Sequence, residues 1–418
     1  MKFATATALG LLLAAPAFAA TEKSQVLDTY ADIAEAGYTD SLTTAKALRE
    51  AVDALIAEPS EETLQAAREA WVAARVPYQQ TEAYRFGNPI VDDWEGKVNA
   101  WPLDEGLMDY VSDDYMVSAE NDYADLNVIA NPQITIGGQE IDASEITPEL
   151  IADTLDMADG IETNVARGYH AIEFLLWGQD LNGTDAGAGE RPYTDYVTGD
   201  DCTGGNCDRR ASYLDAATDL LISDLEEMAE AWGEGGAARE AVMADEDAGI
   251  TAMLTGMGSL SYGEQAGERM RLGLMLNDPE EEHDCFSDNT HNSHFYDGKG
   301  IQNVYLGEYT RVDGSVVEGP SLSDLVAETD ESLDAEMTSK LETTMERLGA
   351  IKSAAEDGFA YDQMLGFGDE RGEELIMGAV DALIDQTRTI ERVVGALDLE
   401  NVEIEGSDSL DDPNAVFQ

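Results

Sequence analysis

The histidines of this chain are few, and their spacing gives the first indication of chemistry. Only four occur among 418 residues. His170 and Glu173 are three residues apart, so on a helix they share one face, one turn from each other. Tyr169, Ile172 and Leu176 would form an apolar stripe beside them. Carboxylate and imidazole side chains on facing helices build metal sites in helical bundles, so we predict that His170 and Glu173 are metal ligands. The alternative is a surface His–Glu pair, because 87 residues are acidic.

The other three histidines lie within twelve residues of one another. They are His283, His291 and His294. His291 and His294 are three apart and would chelate one ion together if the segment turned helically. We predict that these three histidines are metal ligands, either of a second site or of a loop that covers the first. The alternative is a polar loop whose histidines bond to the backbone.

Glu82 is a further candidate ligand. It lies three residues before Arg85, near the end of a predicted helix, and that spacing alone favours an exposed ion pair. The helix of His170 supplies only two ligands, however, and a metal site needs more. Glu82 or the later histidines would therefore complete the site.

Several other functions are excluded or unsupported by the sequence. The net charge of −64 argues against nucleic-acid binding, which requires a basic face. Acidic residues spread over the whole surface are typical of a protein that stays soluble at high salt. There is no His-Glu-x-x-His motif, no Gly-x-Ser-x-Gly motif and no phosphate-binding loop. The stretch from Asp180 lacks the sixth-position glycine of an EF-hand and has Arg191 at the twelfth position, so that interpretation is rejected.

The periodicity of apolar residues predicts an all-α chain with long irregular insertions. Helical patterns cover residues 21–59, 60–86, 148–177, 209–232, 237–276, 321–356 and 370–397. The segment 88–146 is predicted to be irregular with short helical pieces such as 107–110, and the segment 277–320 is predicted to be non-helical. We interpret this as two packed helical-bundle domains with long loop insertions. The predicted divisions are a signal peptide (1–20), an N-terminal bundle with His170 (21–205), a C-terminal bundle with the His-rich insertion 277–320 (206–400) and an acidic tail (401–418).

The amino terminus has the pattern of a secretory leader. Lys2 is followed by an apolar stretch, and Ala17-Phe-Ala-Ala20 offers cleavage after Ala19 or Ala20. No later apolar run is long enough to span a membrane. We therefore expect an exported, periplasmic protein.

Three cysteines are present. Cys202 and Cys207 flank a glycine-containing loop, and in an oxidising compartment this spacing suits a short disulfide. Cys285 is left over.

These motifs together resemble the imelysin family. The match is carried by Gly168-x-His-x-x-Glu173 continuing into Phe174-Leu-Leu-Trp-Gly178, and by the stretch from Glu82 to Gly87. The segment from His283 to Gly298 is similar to the branch called iron-regulated protein A.

The resemblance implies two helical bundles with a metal site near the cleft between them, an envelope location and a role in iron uptake or homeostasis. Its implied metal is iron, or zinc, and its implied partner is an envelope iron-transport or redox protein. A zinc-dependent metallopeptidase of the imelysin type is the first alternative, although no catalytic motif supports it. A non-catalytic protein that binds an envelope partner is the second alternative.

Overall fold

The described part of the chain is mostly α-helix, as predicted. The structure, a computed structural model, describes residues 20–113, 115 and 121–417. The predicted signal peptide falls almost entirely outside the described residues. The α-helices are α1 (Lys23–Ala57), α2 (Glu61–Gln79), α3 (Pro89–Asn99), α4 (Pro148–Leu150), α5 (Gly168–Trp177), α6 (Cys207–Trp232), α7 (Ala237–Met243), α8 (Glu246–Ser259), α9 (Gly273–Leu276), α10 (Thr290–Leu306), α11 (Leu322–Glu356), α12 (Tyr361–Leu365), α13 (Glu370–Ala396) and α14 (Asp408–Asp411).

Other regular elements are short. Two antiparallel hairpins pair β1 (Gln133–Ile136) with β2 (Gln139–Asp142) and β3 (Glu308–Thr310) with β4 (Val316–Glu318). Two π-helical segments occur, Ile151–Leu155 and Leu260–Leu272. The 3-10 turns are Glu82–Tyr84, Glu105–Leu107, Ala158–Gly160, Tyr193–Asp195, Gly199–Asp201, Pro279–Glu281 and Ala415–Phe417.

Two groups of long helices form the body of the protein. In the first, α1 packs against α2 and α6; in the second, α11 packs against α13 and α10. Helix α10 also packs against α2, so it connects the groups. The larger apolar core includes Tyr30, Trp71 and Tyr213, and the smaller one includes Leu348 and Leu383. The predicted domain boundary near residue 205 stays a prediction. Helix α6, which follows that boundary in the chain, packs against α1, which precedes it.

Helix α2 shows how local sequence sets an element. The Ser60 side chain accepts a hydrogen bond from the Thr63 amide at 3.2 Å and caps the first turn. Apolar residues at helical spacing, among them Leu64, Trp71 and Tyr78, are buried. The helix ends at Gln79, two residues after Pro77.

The prediction of one helix over 148–177 is wrong. Left-handed backbone at Met157, Asp159 and Gly160 interrupts it, and α5 begins only at Gly168. A left-handed residue cannot continue a right-handed helix. The helix that carries His170 is therefore short, and every residue in it is buried.

The prediction that 277–320 is non-helical is also wrong, because α10 occupies its middle. Its residues Ser293, Asp297 and Asn303 are polar yet buried. The first half of this helix buries polar side chains and glycines, and apolar residues join the buried face only from Ile301 onward, so apolar periodicity did not reveal it.

Two further expectations can be compared with the structure. Cys202 and Cys207 form the predicted disulfide, and Cys285 is free. Among the described residues, no helix combines the length and apolar character needed to cross a bilayer.

Candidate metal centre

Helix α5 presents His170 from a rigid, buried wall. Gly168 starts this helix at φ +81°, and a Cβ there would lie 2.5 Å from the Val98 carbonyl oxygen. Only glycine fits that close approach with positive φ. The Trp71 indole donates to the Tyr169 carbonyl at 2.9 Å and fixes α2 against α5.

The facing wall is the segment that leads into α10. It places Asp284 against Arg75 of α2, with 3.0 Å between Arg75 Nη2 and Asp284 Oδ1, and both side chains are buried. The other Asp284 oxygen, Oδ2, accepts from the side-chain amide of Asn289 at 2.8 Å and from the Ser293 hydroxyl. Asp284 is thus held in place by groups from two helices and the intervening loop.

His170, His283 and Asp284 come together in the interior. Each offers one ligand atom, and these atoms lie within 4.8 Å of one another. The rings of His170 and His283 cross nearly at right angles with centroids 4.8 Å apart. His170 Nε2 and both nitrogens of His283 are buried and have no hydrogen-bond partner in the part of the chain that the structure describes. Buried polar atoms are normally satisfied, so these nitrogens fit an absent ligand such as a metal ion.

The electrostatics favour neutral imidazoles. Burial, with the nearby Arg75 charge, lowers the pKa of His170 to about 3. Burial likewise lowers the pKa of His283 well below its usual value. Burial would raise the pKa of Asp284, but the Arg75 charge, with hydrogen bonds from Ser293 and Asn289, outweighs it and holds that pKa below normal. At neutral pH the group therefore offers two free imidazole nitrogens and one carboxylate, a donor set suited to iron or zinc.

Glu173 contacts His170 and is not one of the three residues that offer ligand atoms to one another's vicinity. Its Oε2 lies 3.0 Å from His170 Nδ1. Its Oε1 accepts from the Ser287 amide at 3.0 Å and from the Ser287 hydroxyl at 2.6 Å. A carboxylate on one imidazole nitrogen orients the ring and leaves the other nitrogen for a metal.

The other predicted ligands lie apart from this group. Glu82 is buried and pairs with Arg269 at 2.7 Å. Arg85 pairs instead with Asp92, so the expected Glu82–Arg85 ion pair does not form.

Two of the clustered histidines also lie outside the group. His294 is buried with both nitrogens unpartnered, and its ring packs against Tyr361 at 5.2 Å between centroids. His291 is partly exposed, with Nε2 3.1 Å from the Asn292 side chain. The structure thus brings His283 to His170, whereas His291 and His294 lie on α10 outside that three-residue group.

Sequence reasoning missed Asp284 and Arg75. Asp284 follows His283 directly, but so many acidic residues surround it that nothing marked it out. Arg75 lies between Trp71 and Tyr78, with no acidic residue three or four positions away on α2. That position among large apolar residues was the available signal, since a charge that becomes buried needs a partner.

A cavity borders the site. Its volume is about 330 Å³, and its lining includes His283 with Trp101, Asn99, Glu95 and Arg269. The Trp101 indole donates to the Glu282 carbonyl at 2.7 Å and so holds this side of the cavity to the segment that carries His283.

Known proteins resemble this chain in sequence and in structure. Residues 34–390 match the sequence signature of the imelysin family, also classed as peptidase M75. Iron-regulated protein A of Synechococcus elongatus is 32% identical over 113 residues, which are 25% of this chain and 31% of that relative. The match thus spans about a third of that relative's length.

The structural comparison extends over nearly the whole fold. A crystal structure from Parabacteroides distasonis, described as that of a candidate iron-regulated protein A precursor, superposes with a TM-score of 0.64 at 21% identity. It covers 90% of this chain and 95% of that one. The all-α helical architecture is therefore shared. Since the family signature spans most of the sequence, this chain belongs to the imelysin family.

Proposed function

We propose that this protein is an exported, periplasmic metal-binding protein that takes part in iron uptake or homeostasis. The observation that carries the proposal is the set of unpartnered nitrogens on His170 and His283 beside Asp284. The iron-related name of the Synechococcus relative supports iron as the metal.

In this proposal three side chains hold the ion. His170 would bind through Nε2, His283 through one ring nitrogen and Asp284 through a carboxylate oxygen. Glu173 orients His170, and Arg75 keeps Asp284 ionised while compensating its charge. A bound iron ion would be carried as cargo, and the cavity past Trp101 would be its entrance.

The donor set also suits a second candidate function. Two histidines and one carboxylate are the ligands of many zinc peptidases. Such an enzyme needs a free general base near the metal, and both oxygens of Glu173 already have partners. Chelator-sensitive cleavage of an unstructured protein by the zinc-loaded protein would favour this alternative.

The test is metal binding by purified full-length variants. We expect iron(II), measured anaerobically, and zinc(II) to bind wild type with one-to-one stoichiometry. His170→Ala and His283→Ala should abolish this binding, because each removes a ligand. Glu173→Gln should weaken it by about 10–100-fold, the usual effect of losing a partner that orients a ligand.

His291→Ala is the matched control, since His291 belongs to the same histidine-rich segment but lies outside the group. It should bind metal as wild type does. Unchanged metal occupancy in the double variant His170→Ala, His283→Ala, determined by elemental analysis, would refute the proposal. Weakened binding in His291→Ala would instead support the predicted role of His291 as a ligand.

A further inference from the structure

A second group of ionisable side chains draws two of its members from the segment that carries His283. Asp180, Asp288 and Asp362 offer oxygens within 4.8 Å of one another. They come from three distant parts of the chain: the loop after α5, the loop before α10 and the short helix α12. Asp180 and Asp288 are partly exposed, whereas Asp362 is 1% exposed.

A fourth carboxylate closes the group from inside. Glu282 is 0% exposed, and its side chain lies next to that of Asp362. Five oxygens of this group have no hydrogen-bond donor among the described residues: both of Glu282, both of Asp362 and one of Asp288. Isolated buried carboxylates are costly unless a counter-charge is present.

Among the described residues, no basic side chain supplies that counter-charge. No ion pair there involves Asp180, Glu282, Asp288 or Asp362, whereas Arg75 neutralises Asp284 of the neighbouring site. Burial, with repulsion from Asp362, raises the pKa of Asp288 to about 7. The four carboxylates must therefore share protons or hold a cation.

We propose that Asp180, Glu282, Asp288 and Asp362 form a calcium site, separate from the histidine site. All the donors are oxygen, as hard cations require, and no imidazole or thiolate is among them. Calcium takes six to eight oxygens in flexible geometry, whereas magnesium keeps most of its water and uses one or two carboxylates. Four carboxylates on irregular segments fit calcium better.

Hydrogen bonds hold the loop around Asp180 in a conformation that could contribute to a calcium site. Asp180 Oδ1 accepts from the Asn182 amide and side chain, both at 2.8 Å, and Asp288 Oδ2 accepts from the Gly187 amide at 3.2 Å. These bonds leave the remaining Asp180 and Asp288 oxygens for an ion. A bound calcium would fasten this loop to α12 and to the segment that carries His283, so it would support the metal centre without binding there.

The experiment measures calcium binding by calorimetry and by the calcium-dependent shift in melting temperature. The full-length protein is stripped with EGTA and studied in about 0.5 M NaCl, because at that ionic strength nonspecific attraction of cations to the acidic surface is screened. We expect wild type to bind one calcium and to melt at higher temperature with it. Asp362→Asn and Glu282→Gln should each lose at least about tenfold in affinity, because carboxylate count tunes calcium affinity.

The matched control is Asp185→Asn, in the same loop but exposed and outside the group. It should respond to calcium as wild type does. In EGTA, Asp362→Asn and Glu282→Gln should melt at or above the wild-type temperature, because each relieves repulsion in the empty group. With calcium, wild type should melt above both variants, whereas in EGTA it should not. A variant with a damaged fold would melt below wild type in both conditions.

Three results would overturn the proposal: no saturable calcium binding by wild type, an equal calcium response in Asp362→Asn and Glu282→Gln, or an equal magnesium response. The outcome is independent of the iron proposal. His170→Ala should keep the calcium response while it loses iron and zinc. If it keeps iron and zinc as well, the histidine site fails and the calcium site stands.

Discussion

At the scale of single residues, Arg75 decides whether the metal centre can be buried at all. Its guanidinium lies 3.0 Å from Asp284, also donates to Asn99 at 2.7 Å, and packs over the Tyr169 ring. It thereby links α2, α3, α5 and the segment before α10. Histidines with low pKa can bind metal without first losing a proton, but the carboxylate beside them needs this cation to stay ionised.

We expect Arg75→Gln to destabilise the protein by about 3–5 kcal/mol, the usual cost of leaving a buried charge without its partner. The matched control is Lys340→Gln, which removes an exposed pair with Asp385 and should cost less than about 1 kcal/mol. Chemical denaturation of both variants, without metal, provides the measurement. Equal losses in the two variants would contradict the role assigned to Arg75.

At the scale of elements, the start of α5 depends on a single glycine. Gly168 combines positive φ with contact against the Val98 carbonyl of α3. The glycine at the start of the Gly168-x-His-x-x-Glu173 motif therefore has a structural role. The helix it starts is buried all round, so its polar residues face each other and the facing segment rather than solvent.

Two glycine substitutions should act in opposite directions. Gly168→Ala should destabilise the protein by more than about 2 kcal/mol, through strain at positive φ and the contact with Val98. Gly96→Ala, on the exposed face of α3, meets no atom within 4 Å and should stabilise by about 0.5–1 kcal/mol, because alanine is the better helix former. Thermal melts of the two variants test the contrast, and a neutral Gly168→Ala would show that α5 does not need this backbone conformation.

At the scale of the whole molecule, charge dominates. The excess of 87 acidic over 23 basic residues produces repulsion that favours the expanded, unfolded chain. Some acids are paired with arginine, but far too few basic residues exist to neutralise them. Salt weakens both the repulsion between acids and the attraction within ion pairs. Because acids far outnumber basic residues, the loss of repulsion should have the larger effect on stability.

We therefore expect the melting temperature to rise as NaCl is increased from about 0.01 M to 1 M, over which the screening length falls from about 30 Å to 3 Å. The measurement is differential scanning calorimetry at constant pH with calcium and transition metals removed. A melting temperature that fell with salt would mean that the ion pairs, rather than the repulsion, control stability.

The sequence by itself determined the all-α class and the disulfide, because helical periodicity and a short cysteine spacing are local signals. It also predicted that His170 and Glu173 share one helical face, but it left open a pair on the surface. It also placed His283 in a histidine-rich segment, although it did not identify that residue as the partner of His170. Only the tertiary structure decided that pairing, together with the roles of Asp284 and Arg75. His170 and His283, and likewise Arg75 and Asp284, are separated by more than a hundred positions in the chain, and among so many acids no spacing distinguishes the one that faces an arginine. Asp180 is a similar case. The stretch that begins at Asp180 does not match a calcium-binding loop, and the other carboxylates of its group come from two distant segments. Only the fold brings their oxygens together.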